Sequence, residues 1–186
     1  MPQLEGRTLK YWCKQKGLKP TTDNGAELVI QAQINGGASC IFHAMDEADV
    51  VNIMKHPKTM IASDGRLVKI GDGHPHPRSY GTFPRVLGHY VRESKIITLS
   101  EAIHKMTLMP AKAMGLKNRG FIAEGNKADL TLFDPKKVID KATYEDPHQY
   151  SEGIEYVIVN GEVAVENKIF KPIKSGVILK KKNNER

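Results

Sequence analysis

Several things are scarce in this sequence, and each scarcity closes off a class of protein. Two cysteines, Cys13 and Cys40, in 186 residues build neither a disulfide framework nor a cysteine-rich zinc knuckle. No stretch approaches the roughly 18 uninterrupted apolar residues of a membrane helix. The opening Met1-Pro2-Gln3-Leu4-Glu5-Gly6-Arg7 lacks the basic-then-apolar layout of a signal peptide. Aromatic residues make up only 6%, too few to interleave with a basic stripe as nucleic-acid binders do. The expectation is a cytoplasmic protein in a reducing compartment, with no membrane and no nucleic acid among its partners.

What is present is ordinary for a globular chain. Hydrophobic residues are 40% and charged residues 26%, and 28 Lys+Arg against 21 Asp+Glu leave a formal charge of +7, a balance that suits one domain or one and a half. Lys180, Lys181, Lys182 and Arg186 supply four of those seven charges, and residues 181–186 read as a disordered basic tail. Nucleic-acid binding through that tail is the third-ranked reading of function.

Helical spacing recurs from Thr8 to Lys16 and from Thr22 to Ile34, with Gly17 and Gly36-Gly37 as stops. The apolar run at 38–44 and the second at 59–64 read as buried strands. Between them Asp46 is a good N-cap for a helix over Glu47–Lys55, which Pro57 ends. Strand, helix, strand in this order predicts two adjacent parallel strands with a helical crossover, an α/β unit. Residues 65–79 read as a loop, followed by helices over Phe83–Glu93 and, capped by Ser100 and closed by Gly115, over Ser100–Met114. Trp12, Met106, Met109 and Met114 are assigned to the core. The last third alternates like antiparallel strands, at Ala128–Phe133 and at Tyr156–Asn160 with Glu162–Val165, the latter two joined by an Asn160-Gly161 hairpin signal.

Asp64 is the strongest chemical candidate, an acid at the carboxyl end of an apolar run and followed by Gly65, where parallel α/β folds place reactive groups. Spacing alone favours the plainer reading of a turn-forming Asp-Gly pair. His74-Pro75-His76 has the spacing of a metal pair, but Pro75 removes a ladder donor and no apolar strand precedes it, so a ligand-contacting loop is the preferred reading. His43 is as well explained as a core histidine. His56, His89, His104 and His148 show no paired geometry.

The stretch Met60-Ile61-Ala62-Ser63-Asp64-Gly65, with His76-Pro77-Arg78-Ser79-Tyr80-Gly81-Thr82-Phe83-Pro84-Arg85-Val86-Leu87-Gly88 after it, resembles the N-acyl-D-amino-acid deacylases (D-aminoacylases) of the amidohydrolase superfamily. Met106–Leu116, Arg119-Gly120, Glu124-Gly125, Ala128-Asp129-Leu130 and Val157–Gly161 with Glu166-Asn167 resemble the general C-terminal pattern of that superfamily. The resemblance implies a zinc-dependent hydrolase of the amide C–N bond of N-acyl-D-amino acids. It implies an α/β fold, the C-terminal portion of a (β/α)8 barrel over residues 1–120 and part of a small β-sandwich over 121–180. It places Asp64 at the family's acid/base position and as a second-site metal ligand, and His76 and Arg78 in the substrate-binding motif, where a guanidinium suits a carboxylate.

Family members are more than twice as long, with their other metal ligands upstream of the segment seen here. The zinc cage is therefore expected to be incomplete, and the chain is expected to be a C-terminal fragment, a truncated reading frame or one half of a split enzyme, inactive alone. The competing reading is a non-catalytic interaction module. In that case open sheet edges pair with the missing N-terminal half or with a second copy.

Overall fold

The computed structural model describes residues 4–37 and 39–180. Its first three helices begin where a short polar side chain can satisfy first-turn N–H groups. Helix α1 (Leu9–Gln15) opens at Thr8, whose hydroxyl accepts from the Tyr11 N–H at 3.1 Å. Thr21 does the same for α2 (Thr22–Ile34), accepting from Asn24 at 3.3 Å, and Asp46 for α3 (Glu47–Lys55), accepting from Ala48 at 2.8 Å. All three match the helices expected from spacing.

The apolar runs on either side of α3 do not. Ala38 lies outside the described residues, and neither 39–44 nor 59–64 forms a strand. This corrects the expectation of two adjacent parallel strands. Parallel strands are stable when paired in a sheet and covered on both faces, and no described residue offers them that setting. Phe42 and Met45 are 83% and 82% exposed, and the Ile61 N–H donates to the Lys105 carbonyl at 3.1 Å in place of a strand partner.

Helix α4 (Arg78–Arg85) starts five residues earlier than expected and runs into a π-helical stretch, Val86–Glu93. Pro77 at its N-cap has φ −50°, already helical, so the chain enters α4 without a polar cap. Pro84, inside it, lacks the N–H that would bond the Tyr80 carbonyl. Helix α5 (Leu99–Met106) is capped by Thr98 rather than Ser100. The Thr98 hydroxyl accepts from the Glu101 N–H while the Glu101 carboxylate accepts from the Thr98 N–H, a complete capping box. The single helix expected to Met114 breaks at Thr107 (φ −127°, ψ −82°), and α6 (Leu108–Ala113) follows.

Four antiparallel strands finish the chain in the order β1 (Leu130–Phe133), β2 (Ile154–Val159), β3 (Glu162–Glu166), β4 (Ile169–Phe170). The expected hairpin is present, turning through Asn160 (φ 48°) and Gly161 (φ 87°), the left-handed pair of a two-residue primed turn. It pairs with β1 as expected, Leu130 facing Ile158 and Thr131 facing Val157. β4 was not foreseen from the sequence.

The core lies between α3, the π-helical stretch and α5, built on Met54, Leu87, Tyr90, Ile97 and Ala102. Val138, wholly buried in the β1–β2 connection, joins the sheet to that core. Arg92 Nη1 donates to the Val138 carbonyl at 2.5 Å, and Arg85 pairs with Asp140 at 3.2 Å. Of the residues assigned to the core, Trp12, Met106 and Met109 are half-buried and Met114, the C-cap of α6, is exposed. No helix among the described residues is long and apolar enough to cross a membrane.

Candidate active site

Asp64 lies in an irregular segment and Arg78 begins α4, and the intervening loop doubles back so that Arg78 Nε lies 2.7 Å from Asp64 Oδ1. The fold-back depends on Gly65. A Cβ there would sit 2.6 Å from the Arg78 carbonyl oxygen and 2.9 Å from the Ser79 Cα, so only glycine lets the chain lie on the first turn of α4. Hydroxyls fasten the contact. Ser63 Oγ lies 3.0 Å from Thr82 Oγ1 and accepts from the Gly65 N–H at 3.1 Å, and Ser79 Oγ accepts from the Arg66 N–H at 3.2 Å. Both charges stay accessible, Asp64 at 75% and Arg78 at 44% side-chain exposure.

His76 completes the group. Its Nδ1 accepts from the Arg78 N–H at 3.0 Å, and its Nε2 lies 3.4 Å from the Tyr144 hydroxyl. Burial holds the imidazole below its ordinary pKa, the Arg78 guanidinium and His43 push the same way, and Asp64 opposes them. With Nδ1 accepting, the neutral ring carries its proton on Nε2, pointed at Tyr144.

Asp64, His76 and Arg78 are thus brought together. His43 proves to be exposed rather than a core residue, and its ring stands edge-on to Tyr144 with centroids 4.6 Å apart. His74 Nε2 donates to the Tyr144 carbonyl at 2.6 Å, so the His74/His76 pair serves Tyr144 and Arg78 rather than one shared ion. His89 lies elsewhere, 3.5 Å from Glu93. Sequence reasoning missed Tyr144 and set His148 aside. Tyr80 Oη lies 3.0 Å from His148 Nδ1, and His148 Nε2 donates to the Gly73 carbonyl at 2.9 Å. These partners are 68 to 75 residues apart in sequence, and no local pattern announces them.

A zinc cage needs about three protein ligands with an open position. Among the described residues no three His, Cys, Asp or Glu side chains converge to hold an ion, and Asp64 Oδ1 is already engaged by Arg78. These residues by themselves do not fit a zinc centre. A cleft of about 350 Å³ between β1, β2 and residues 176–179 includes Arg119 and Asp129 in its lining and none of Asp64, His76 or Arg78.

Residues 26–165 match the amidohydrolase family, and the chain belongs to it. Within that family it is 49% identical over 168 residues to an N-acyl-D-aspartate deacylase of Alcaligenes xylosoxydans xylosoxydans, an alignment covering 86% of this chain and 33% of that one. In three dimensions it is similar to a D-aminoacylase whose structure addresses the functional role of that enzyme's binuclear metal centre (TM-score 0.81, 39% identity, 93% of this chain and 34% of that one). It is also similar to the N-acyl-D-glutamate deacylase of Bordetella bronchiseptica, solved with zinc and a phosphonate mimic of the tetrahedral intermediate (TM-score 0.72, 38% identity, 85% of this chain and 31% of that one). The chain spans about a third of the length of the curated relatives it matches.

Proposed function

We propose that residues 1–120 belong to the barrel of a zinc-dependent, cytoplasmic N-acyl-D-amino-acid deacylase and residues 121–180 to its small β-sandwich, with Asp64 as general acid/base and Arg78 and His76 as substrate-binding groups. One observation carries the reading: Arg78 Nε at 2.7 Å from Asp64 Oδ1, with the Arg78 N–H on His76. In amide hydrolysis a carboxylate takes a proton from the attacking water and returns it to the leaving amine. The exposed Asp64 is free to do both at its second oxygen. Arg78, accessible and cationic, suits the carboxylate of an N-acyl-D-amino acid. Zinc is proposed from a relative solved with it, its ligands other than Asp64 lying outside this chain.

A partner reading accompanies this one, in which the rest of an amidohydrolase barrel or a second copy packs on this chain. Phe42, Met45 and Leu67, each more than four-fifths exposed, are apolar surface for the rest of an amidohydrolase barrel to cover. The test joins this chain in frame to the preceding two thirds of an N-acyl-D-aspartate deacylase and assays release of D-amino acid. The chain alone with zinc is expected to be inactive. In the active chimera Asp64→Asn is expected to lower kcat at least about 100-fold, the scale of a lost general acid/base. Chelator-sensitive turnover by the chain alone, or a metal-loaded chimera indifferent to Asp64→Asn, would overturn the assignment. Self-association of the isolated chain in sedimentation, without activity in the chimera, would favour an interaction module.

A further inference from the structure

We propose that His148 is a positioning residue, clamping the loop between Asp64 and Arg78 to the segment that precedes β2. The inference deepens the deacylase reading, because that loop carries His76 and delivers Arg78 to Asp64, while the clamp itself stands on the hydrogen bonds of His148.

Residues 65–77 contain no helix or strand, and Gly71 and Gly73 adopt left-handed backbone (φ 89° and 67°). A loop of this kind holds one position only if other parts of the fold grip it. The grip comes from 144–151. Tyr144 receives the His74 Nε2 proton at its carbonyl, 2.6 Å away, and His148 Nε2 donates to the Gly73 carbonyl at 2.9 Å. Gly73 O only accepts, so His148 carries its proton on Nε2. In the neutral ring Nδ1 is then an acceptor for the Tyr80 hydroxyl at 3.0 Å. His148 thereby bridges the loop and the first turn of α4 with its two nitrogens in opposite roles.

The anchor for this bridge is built into α4. Pro84 has no N–H, which leaves the Tyr80 carbonyl without its helical partner. Ser151 Oγ fills the vacancy, donating to Tyr80 O at 3.0 Å. Tyr80 also meets His148 and Tyr150 edge-on, with ring centroids 5.8 and 5.6 Å away. Burial, then Tyr150 and Asp72, raise the Tyr80 phenol above its ordinary pKa, which keeps its proton available to His148. The proline that leaves the Tyr80 carbonyl open thus creates the docking point for the 148–151 segment.

Hydrogen exchange on the 186-residue chain tests the clamp directly. In His148→Leu, amides of 71–78 should exchange at least about tenfold faster, while core amides of Leu87, Tyr90 and Ala102 change less than about threefold, as for local opening. His148→Gln, whose amide group donates at one atom and accepts at the other, should return the loop to within about threefold of the parent. Long-range proton–nitrogen correlation should show the Nε2–H tautomer. Unchanged loop exchange in His148→Leu, core amides accelerating as much as the loop, failure of the glutamine variant to rescue, or the Nδ1–H tautomer would each overturn the proposal. In the deacylase chimera, His148→Leu should raise KM about tenfold and move kcat less than about threefold, the split of a lost binding contribution. An inactive parent chimera would count against the deacylase reading alone, leaving the exchange result to decide the clamp.

Discussion

Lys105 Nζ donates to the Thr59 carbonyl at 3.0 Å from a helix 46 residues further along the chain. The same ammonium reaches the His56 carbonyl at 2.5 Å, and Lys105's own carbonyl receives the Ile61 N–H. Lys105 is only 5% exposed, so its charge is held by carbonyls rather than water, one of them at the C-terminal end of α3 where a cation is favoured. The segment leading to Asp64 is therefore tied to α5 from both sides.

Replacing Lys105 by Met keeps the stem and removes the charge, leaving two carbonyls to find other donors. Hydrogen bonds to a charged group are worth about 1.5–3 kcal/mol, and Lys105→Met is expected to lose about that much in urea unfolding. A loss below about 0.5 kcal/mol, the range of neutral surface changes, would show that water replaces the ammonium.

Asp64 behaves in the opposite way. Its ion pair with Arg78 is solvent-accessible, and exposed pairs contribute about 0–1 kcal/mol. Asp64→Asn should therefore leave the urea midpoint of the isolated chain almost unchanged, the same substitution that is expected to disable the chimera. A large stability loss would mean that Asp64 is chiefly a structural residue.

Gly65→Ala separates backbone approach from charge. The added methyl meets the Arg78 carbonyl and Ser79 Cα, atoms of a helix backbone that cannot swing aside. Overpacking of this kind typically costs about 1–3 kcal/mol, and here the loop is expected to move off α4 instead of distorting it. Amide chemical-shift changes should concentrate at 63–66 and 78–82, with the Arg78 guanidinium signal shifting as it leaves Asp64. Parent-like shifts in those two stretches would show that the approach tolerates a side chain.

What was legible in the sequence was local. Asp46, Pro57 and Asn160-Gly161 act on partners a few residues away, and α3 and the β2–β3 hairpin appear where those residues place them. Thr98 was readable too, since Glu101 stands three residues after it, but Ser100 offered a competing cap. The apolar runs at 39–44 and 59–64 were misread because strand identity depends on neighbours in space, and Ile61 bonds α5 instead. Asp64, His76 and Arg78 stand out as candidates through family resemblance, whereas the direct contact of Arg78 with Asp64 is legible in neither the resemblance nor the spacing. Tyr144 and His148 were beyond reach because loop closure across some 70 residues brings them to the site.

His76 supplies the pH dependence. Its folded pKa lies below the ordinary imidazole value of 6.5, first through burial, then through Arg78, with His43 in the same direction and Asp64 opposing. Near pH 6.5 and just below, the unfolded chain therefore binds more protons at this position than the folded one, so stability rises with pH there. The contribution is fully present above pH 6.5 and is lost as pH falls toward and through the folded value. His76→Asn should flatten that part of the stability–pH curve. By NMR titration, Arg78→Met should raise the His76 pKa and Asp64→Asn should lower it further, because each removes one charge of known sign. A His76 that titrates at or above 6.5 in the folded chain, or that shifts the same way in both variants, would show that the Arg78 and Asp64 charges do not act on the ring as the geometry requires.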